Sequence, residues 1–316
     1  MNISIRPAPT GNRGIGLANA SAPPGGLTAC ATWLCLLLAA CASSGTGSST
    51  GIAEVARELP RHSLVLLGEV HDNPHHHRLR FESLKMAVEG GYRPALLMEQ
   101  FDRERQPEID RARREKPRDA AHLIEQVAPK PMRPGGAGWN WSFYQPFVQL
   151  ALDYDLPLIA ANASRADLMR VSRESVGSLF SPAERARLGL DRPVAADLQA
   201  AQEREIATSH CNALPATALG PMARAQVARD AFMALKLVEN AQRGAVLIAG
   251  NGHVRTDIGA PRWLPPGQGF SVGYLETSAT PTDGGRRYEL TVVTAAATRS
   301  DLCEAFIKSR AEPGKS

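Results

Sequence analysis

The sequence predicts an α/β fold: a mostly parallel sheet flanked by helices on both faces, with a smaller all-α subdomain inserted. Three observations lead there. Short, continuous apolar runs recur at intervals that leave room for a helix between them, as in sheets buried on both sides. The runs end in Gly or in polar groups rather than in hairpin turns. The stretch from residue 163 to residue 244 contains no strand pattern and reads as several helices punctuated by Pro and Gly.

Taken in order, His62 to Gly68 is a short apolar run closed by Gly and gives the first strand. Pro74 to Glu89 follows as a helix, with Pro in its first turn and Gly90-Gly91 at its end. Arg93 to Glu99 repeats the strand pattern, and two charged helices run through Asp102 to Arg114 and Arg118 to Val127. Tyr144 to Asp155 is a helix, Leu156 to Ala161 a strand, and Ala245 to Ala249 the strand that resumes the sheet after the insertion. Gly269 to Glu276 and Arg287 to Thr294 complete it, the last with the alternation of an edge strand. The main domain is thus expected over 53–162 and 245–308, with 163–244 inserted.

The 316 residues carry 43% hydrophobic and 22% charged side chains, which excludes wholesale disorder. The net charge of +4 is too small to argue for nucleic acid as a partner, and no basic run with interleaved aromatics occurs. Ala29 to Ala40 has the length of a signal-peptide core and is too short to span a bilayer, so 1–40 is expected to be a signal peptide. A buried apolar helix is the alternative. The run ends in Leu38-Ala39-Ala40-Cys41, which resembles the lipobox of bacterial lipoproteins, where the cysteine sulfur receives the lipid, palmitate among the acyl groups. Behind it, Ser43 to Ser49 reads as a flexible tether over 41–52, and Ala42 after the cysteine favours outer-membrane sorting in a Gram-negative bacterium. Of five cysteines, Cys30 and Cys35 leave with the leader and Cys41 takes lipid; Cys211 and Cys303 remain, and a disulfide and two separate buried thiols are both open.

In parallel sheets ligands bind at the carboxyl ends of strands. There the chain places Glu69 and His71 after the first strand, Glu99 at the end of the second, Asn162 after the third and His253 after the strand at 245–249. Gly68 and Gly250 are expected to let the backbone turn sharply. Glu69, His71, Glu99 and His253 could bind a divalent metal such as zinc or manganese, or provide acid-base catalysis in a hydrolase; a polar network that only fixes loops is the alternative. His75-His76-His77 face three directions on a helix, cannot share one ion, and are expected at a solvated helix start.

Two Gly-x-x-His motifs, Gly68/His71 and Gly250/His253, with Glu99 between them, resemble the superfamily of Tiki metalloproteases, erythromycin esterases and ChaN. The fuller likeness is to ChaN: Gly68 to Pro74, Trp139 to Pro146, Ile159 to Asn162 and Ala225 to Ala234 all resemble it in wording and order, over roughly residues 53 to 308. The resemblance implies haem binding in iron uptake by a non-enzyme, with an outer-membrane haem receptor as partner. It also implies a homodimer holding two haems face to face, in which a tyrosine ligates each iron while a histidine and a lysine of the other subunit hold the propionates. Among the five tyrosines, Tyr144, opening a helix beside Trp139 and Trp141, is the candidate ligand; a buried tyrosine bonded to backbone is the alternative. His210 is the candidate propionate partner, joined by Lys236 as the insertion's lysine or, failing that, by Arg229 or Arg165.

Overall fold

A computed structural model describes residues 46–129, 138–277, 287–301, 303–304 and 306–307. The leader and Cys41 lie outside them. The six strands are β1 (Leu64–Leu67), β2 (Ala95–Asp102), β3 (Leu158–Asn162), β4 (Ala245–Ile248), β5 (Phe270–Glu276) and β6 (Leu290–Thr294). They form one all-parallel sheet in the order β3-β2-β4-β1-β5-β6. β1 and β4 are buried at every position, and β6 alternates between half-buried and exposed residues, as befits an edge.

Alternate residues serve opposite faces. Val65, Leu67, Leu96, Met98, Val246 and Ile248 pack under α1 (Thr46–Glu58), α2 (Pro74–Glu89), α3 (Gln106–Glu115), α4 (Ala120–Val127) and α5 (Trp141–Asp153). Leu64, Leu66, Leu97 and Leu247 face Met233, Ala234 and Leu237 on the other side. Between β3 and β4 run α6 (Arg165–Arg173), α7 (Pro182–Leu188), α8 (Ala196–Ser209) and the long α9 (Ala216–Glu239). One face of α9 joins α6 and α8 in a separate apolar cluster through Val227, Ala228 and Ala231, and another face, with Met233, Ala234 and Leu237, covers the sheet. A short helix, α10 (Asn251–Val254), follows β4.

Three expectations change. Residues 46–52, read as tether, are the start of α1. Composition describes a free chain, whereas Val55 and Leu59, fully buried just beyond, hold the helix against the domain. The histidine run is solvated only at His75: His76 is 0% and His77 3% exposed. Gly68 and Gly250 do not turn the backbone through positive φ. They are required by proximity. A Cβ on Gly68 would lie 2.3 Å from Asn251 Oδ1 and 2.7 Å from Val254 Cγ2, and one on Gly250 would lie 2.9 Å from His71 Cε1. The question left open for the cysteines is answered by a Cys211–Cys303 disulfide across 92 residues of sequence.

Candidate functional site

The carboxyl ends of β1, β2 and β4 form the floor of a cavity of about 670 Å³, and α8 and α9 form its other wall. That volume lies within the range of small-molecule sites, roughly 300–1,000 Å³. The site is at the centre of the sheet, where chain order reverses: β2 and β3 lie to one side of β1 and β4, β5 and β6 to the other.

Glu69 is the hub of the floor. Its Oε1 accepts from the Tyr144 hydroxyl at 2.6 Å and from His71 Nδ1 at 2.8 Å, and its Oε2 pairs with the Arg80 guanidinium. Arg80, 0% exposed, also donates to the carbonyls of Leu67 and Ala249, so one buried cation ties the ends of β1 and β4 together. Burial lowers its pKa to about 10, still cationic at neutral pH. His77 Nε2 donates to the His71 carbonyl and its Nδ1 accepts from Arg80; His76 Nδ1 accepts from the Val70 N–H. Burial lowers both imidazoles to about 4, so they are neutral scaffolds of the loop. Asn73 caps α2 by accepting from His75 N and His76 N, which aims this face of the helix at the loop. The outcome is a buried framework beneath one half-open side chain, the His71 ring, 52% exposed and edge-on to Trp139 at 4.9 Å.

The second cluster is a chain of charges. His253 Nδ1 donates to Asp230 Oδ1 at 2.6 Å, its Nε2 faces Glu99 Oε1 at 3.3 Å, and Glu99 Oε2 accepts the Gly250 N–H at 2.8 Å. Burial would lower His253, but Glu99 and Asp230 prevail and push it up to about 10. Burial works against Glu99 in the same way, yet His253 and the Gly250 N–H hold it well below the carboxylate range. Asp230 rises to about 6, burial outweighing the attraction of His253. His253 is therefore an imidazolium with both nitrogens engaged and has no lone pair for a metal. Among the described residues no group of His, Cys, Asp and Glu is arranged to hold a metal ion.

The cavity thus gathers Glu69, His71, Glu99 and His253 with His210 and Arg229, two sets of residues that the sequence treats as separate hypotheses. His210 closes α8, with Nδ1 donating to the Ile206 carbonyl at 2.8 Å and its ring edge against Phe306. Arg229 reaches Gln226 Oε1, and its buried Nε has no hydrogen-bond partner. Three candidates do not line the cavity. Tyr144 is 1% exposed, its hydroxyl is committed to Glu69, and burial pushes its phenol above the ordinary value, so a phenolate on an open face is not available there. Lys236 lies over Phe232 and pairs with Glu239 at 2.8 Å beside a different cleft. Arg165 does not line the cavity either, and Asn162 bonds Asp102 outside it. Sequence reading missed Arg80 and Asp230 as members of the site. Asp230 has a signal, a charge on a helix face otherwise formed by Val227, Met233 and Ala234, whereas Arg80 shares its face with His76, His77 and Ser83 and looks like part of a polar one.

The fold is shared with ChaN of Campylobacter jejuni, solved with cofacial haem, at 19% identity and TM-score 0.55, covering 70% of this chain and 84% of that one. At that identity the likeness speaks to the fold alone. The type III effector HopBA1 gives 11% identity, coverage of 78% and 94%, and TM-score 0.44. A mutant of the erythromycin esterase EreC in its open conformation gives 13%, coverage of 81% on both sides, and 0.40. Neither of these two carries further weight. No curated protein sequence matches. Residues 55–264 match the family described as haem-binding uptake, Tiki superfamily, ChaN, and the chain belongs to that family.

Proposed function

We propose that this chain binds haem in the cavity over the strand ends and serves haem or iron uptake as an exported lipoprotein anchored through Cys41 in the outer membrane. The observation that carries the reading is the makeup of that cavity in a member of a haem-binding family. Leu168, Ile206, Met222 and Ile258 supply apolar lining, and Arg229 and His210 stand among them. A porphyrin needs that combination: apolar cover for the macrocycle and hydrogen-bond donors for two carboxylates. Arg229 lines the cavity with a guanidinium, a fork that suits a carboxylate acceptor. When bound, haem supplies an iron centre for transfer; the chain's own residues bind, orient and shield it. The Cys211–Cys303 disulfide supports export to an oxidising compartment. By family likeness, haem is expected to bring two copies together and to pass to an outer-membrane receptor.

Titration of the soluble domain with hemin, followed in the Soret band, tests the reading. Saturable binding is expected, weakened about tenfold or more by Arg229→Ala or His210→Ala, the worth of a charge-assisted hydrogen bond. Light scattering should report a dimer only with hemin present. No saturable Soret change would overturn the reading.

One observation favours a second reading, acid-base hydrolysis: the Glu69–His71 dyad and the Asp230–His253–Glu99 chain share one cavity. It predicts turnover of an ester substrate that is lost in His71→Ala. Elemental analysis for zinc or manganese tests the metal-dependent form.

A further inference from the structure

We infer that His71, not a tyrosine, coordinates the haem iron in this chain, through Nε2; the inference rests on the haem-binding reading above. Among the described residues, none of the tyrosines lines the cavity, and Tyr144, the one nearest its floor in the bonding network, has its hydroxyl on Glu69. The His71 ring does line it, half exposed. The 2.8 Å contact from Nδ1 to the Glu69 carboxylate assigns the proton to Nδ1, because a carboxylate only accepts. The lone pair is then on Nε2, across the ring from the buried carboxylate.

This is the outer support that metal-bound histidines use: a carboxylate behind the ring fixes the tautomer, fixes the rotation and raises the basicity of the free nitrogen. Two features hold the support in place and a third makes room for the ring. Glu69 is itself held by Arg80 and Tyr144. The His71 carbonyl is held by His77 Nε2. The missing side chain at Gly250 leaves the space that the ring edge occupies, with Nε2 3.1 Å from where a Cβ would stand. Trp139, edge-on to the ring, offers apolar cover beside it. His253 and His210 are weaker candidates on the same grounds. The first has both nitrogens engaged, and the second is backed by a neutral carbonyl instead of a carboxylate. Tyr144 thereby becomes a positioning residue, acting on His71 through Glu69.

Resonance Raman spectroscopy of the ferrous, hemin-loaded domain reads the ligand directly. The expected result is an iron–histidine stretch that shifts when histidine carries the heavy nitrogen isotope. It is lost in His71→Ala together with about tenfold or more in hemin affinity, and restored by added imidazole, which also reports an intact fold. Tyr144→Phe should keep the band and move it to higher frequency, since Glu69 loses a donor and pulls harder on the remaining proton. A His71→Ala protein with the wild-type spectrum would sink the inference and leave haem binding standing. So would a phenolate charge-transfer band abolished in a tyrosine variant. A wild-type domain that takes up no hemin overturns both.

Discussion

The two glycines at the strand ends look alike in sequence, and the structure separates them. A Cβ on Gly68 would meet Asn251 Oδ1 at 2.3 Å and Val254 Cγ2 at 2.7 Å, both on α10, and the Val272 carbonyl of β5 at 3.2 Å. A Cβ on Gly250 would first meet the edge of the half-exposed His71 ring and then, at 3.8 Å, Glu99. Gly68→Ala is therefore expected to cost about 1–3 kcal/mol or more, as overpacking of a rigid core does. Gly250→Ala should cost less than about 1 kcal/mol because the ring can swing into solvent. Hemin affinity should respond in the reverse order, with Gly250→Ala the more damaging. Urea unfolding beside Soret titration measures both; equal losses of stability would refute the distinction. At this scale the sequence carried the identity of the site but not its reasons. Gly-x-x-His after an apolar run marks a strand end, and Glu69, His71, Glu99 and His253 do converge. Whether a glycine turns the chain or admits a neighbour depends on what lies opposite, and no local pattern records that.

At the level of elements, the start of α2 and the face of α9 set how the site responds to pH. His76 and His77 are neutral in the fold, with pKa values lowered by burial to about 4. An unfolded chain binds protons at both from about 6.5 downward. Their contribution is thus complete above about 6.5 and lost as pH falls toward 4. His253 works the other way. Its folded pKa, raised to about 10 by Glu99 and Asp230, gives stability that is present below about 6.5 and lost as pH rises through 10. Thermal unfolding should therefore peak near pH 6.5 to 7 and fall on both sides. His76→Leu with His77→Leu should flatten the acid limb, and Asp230→Asn the alkaline limb; an acid limb unchanged by the double substitution would contradict the assignment. Most elements were legible for a physical reason: buried strands need unbroken apolar runs, and α2 carries both Pro74 and its end signal. The burial of His76 and His77 was not, because polarity at a helix start ordinarily means solvent, and here Tyr274 of β5 and Phe143 and Tyr144 of α5 cover it. The helical start at residues 46–52 escaped for a similar cause, since tertiary packing of Val55 and Leu59 just beyond overrides a Gly- and Ser-rich composition.

For the molecule as a whole, the disulfide connects the end of the described chain to the turn after α8, next to a wall of the cavity. Cys211 and Asn212 both have positive φ, 58° and 54°, in the turn between α8 and α9, and Cys303 is 92 residues away in sequence. The same tail segment brings the Phe306 ring to 5.5 Å from His210 and follows an anchor farther back. There Arg299 bridges Asp72 and Glu276, and Asn73 also bonds Glu276. Glu276 is held down to about 2, chiefly by Arg299, which keeps that bridge charged over the whole neutral range. The covalent link therefore closes a loop that spans α9, β4, β5 and β6, elements on both sides of the site. Constraint of an unfolded loop of this length is worth roughly 4–5 kcal/mol. Urea unfolding with and without reductant should show a loss of that order, reproduced by Cys211→Ser with Cys303→Ser, and thiol titration of the oxidised domain should find both cysteines blocked. A loss under about 1 kcal/mol would mean that the tail detaches before the domain unfolds. In that case hemin affinity should also be indifferent to reductant, because a wall that the tail does not hold cannot depend on it.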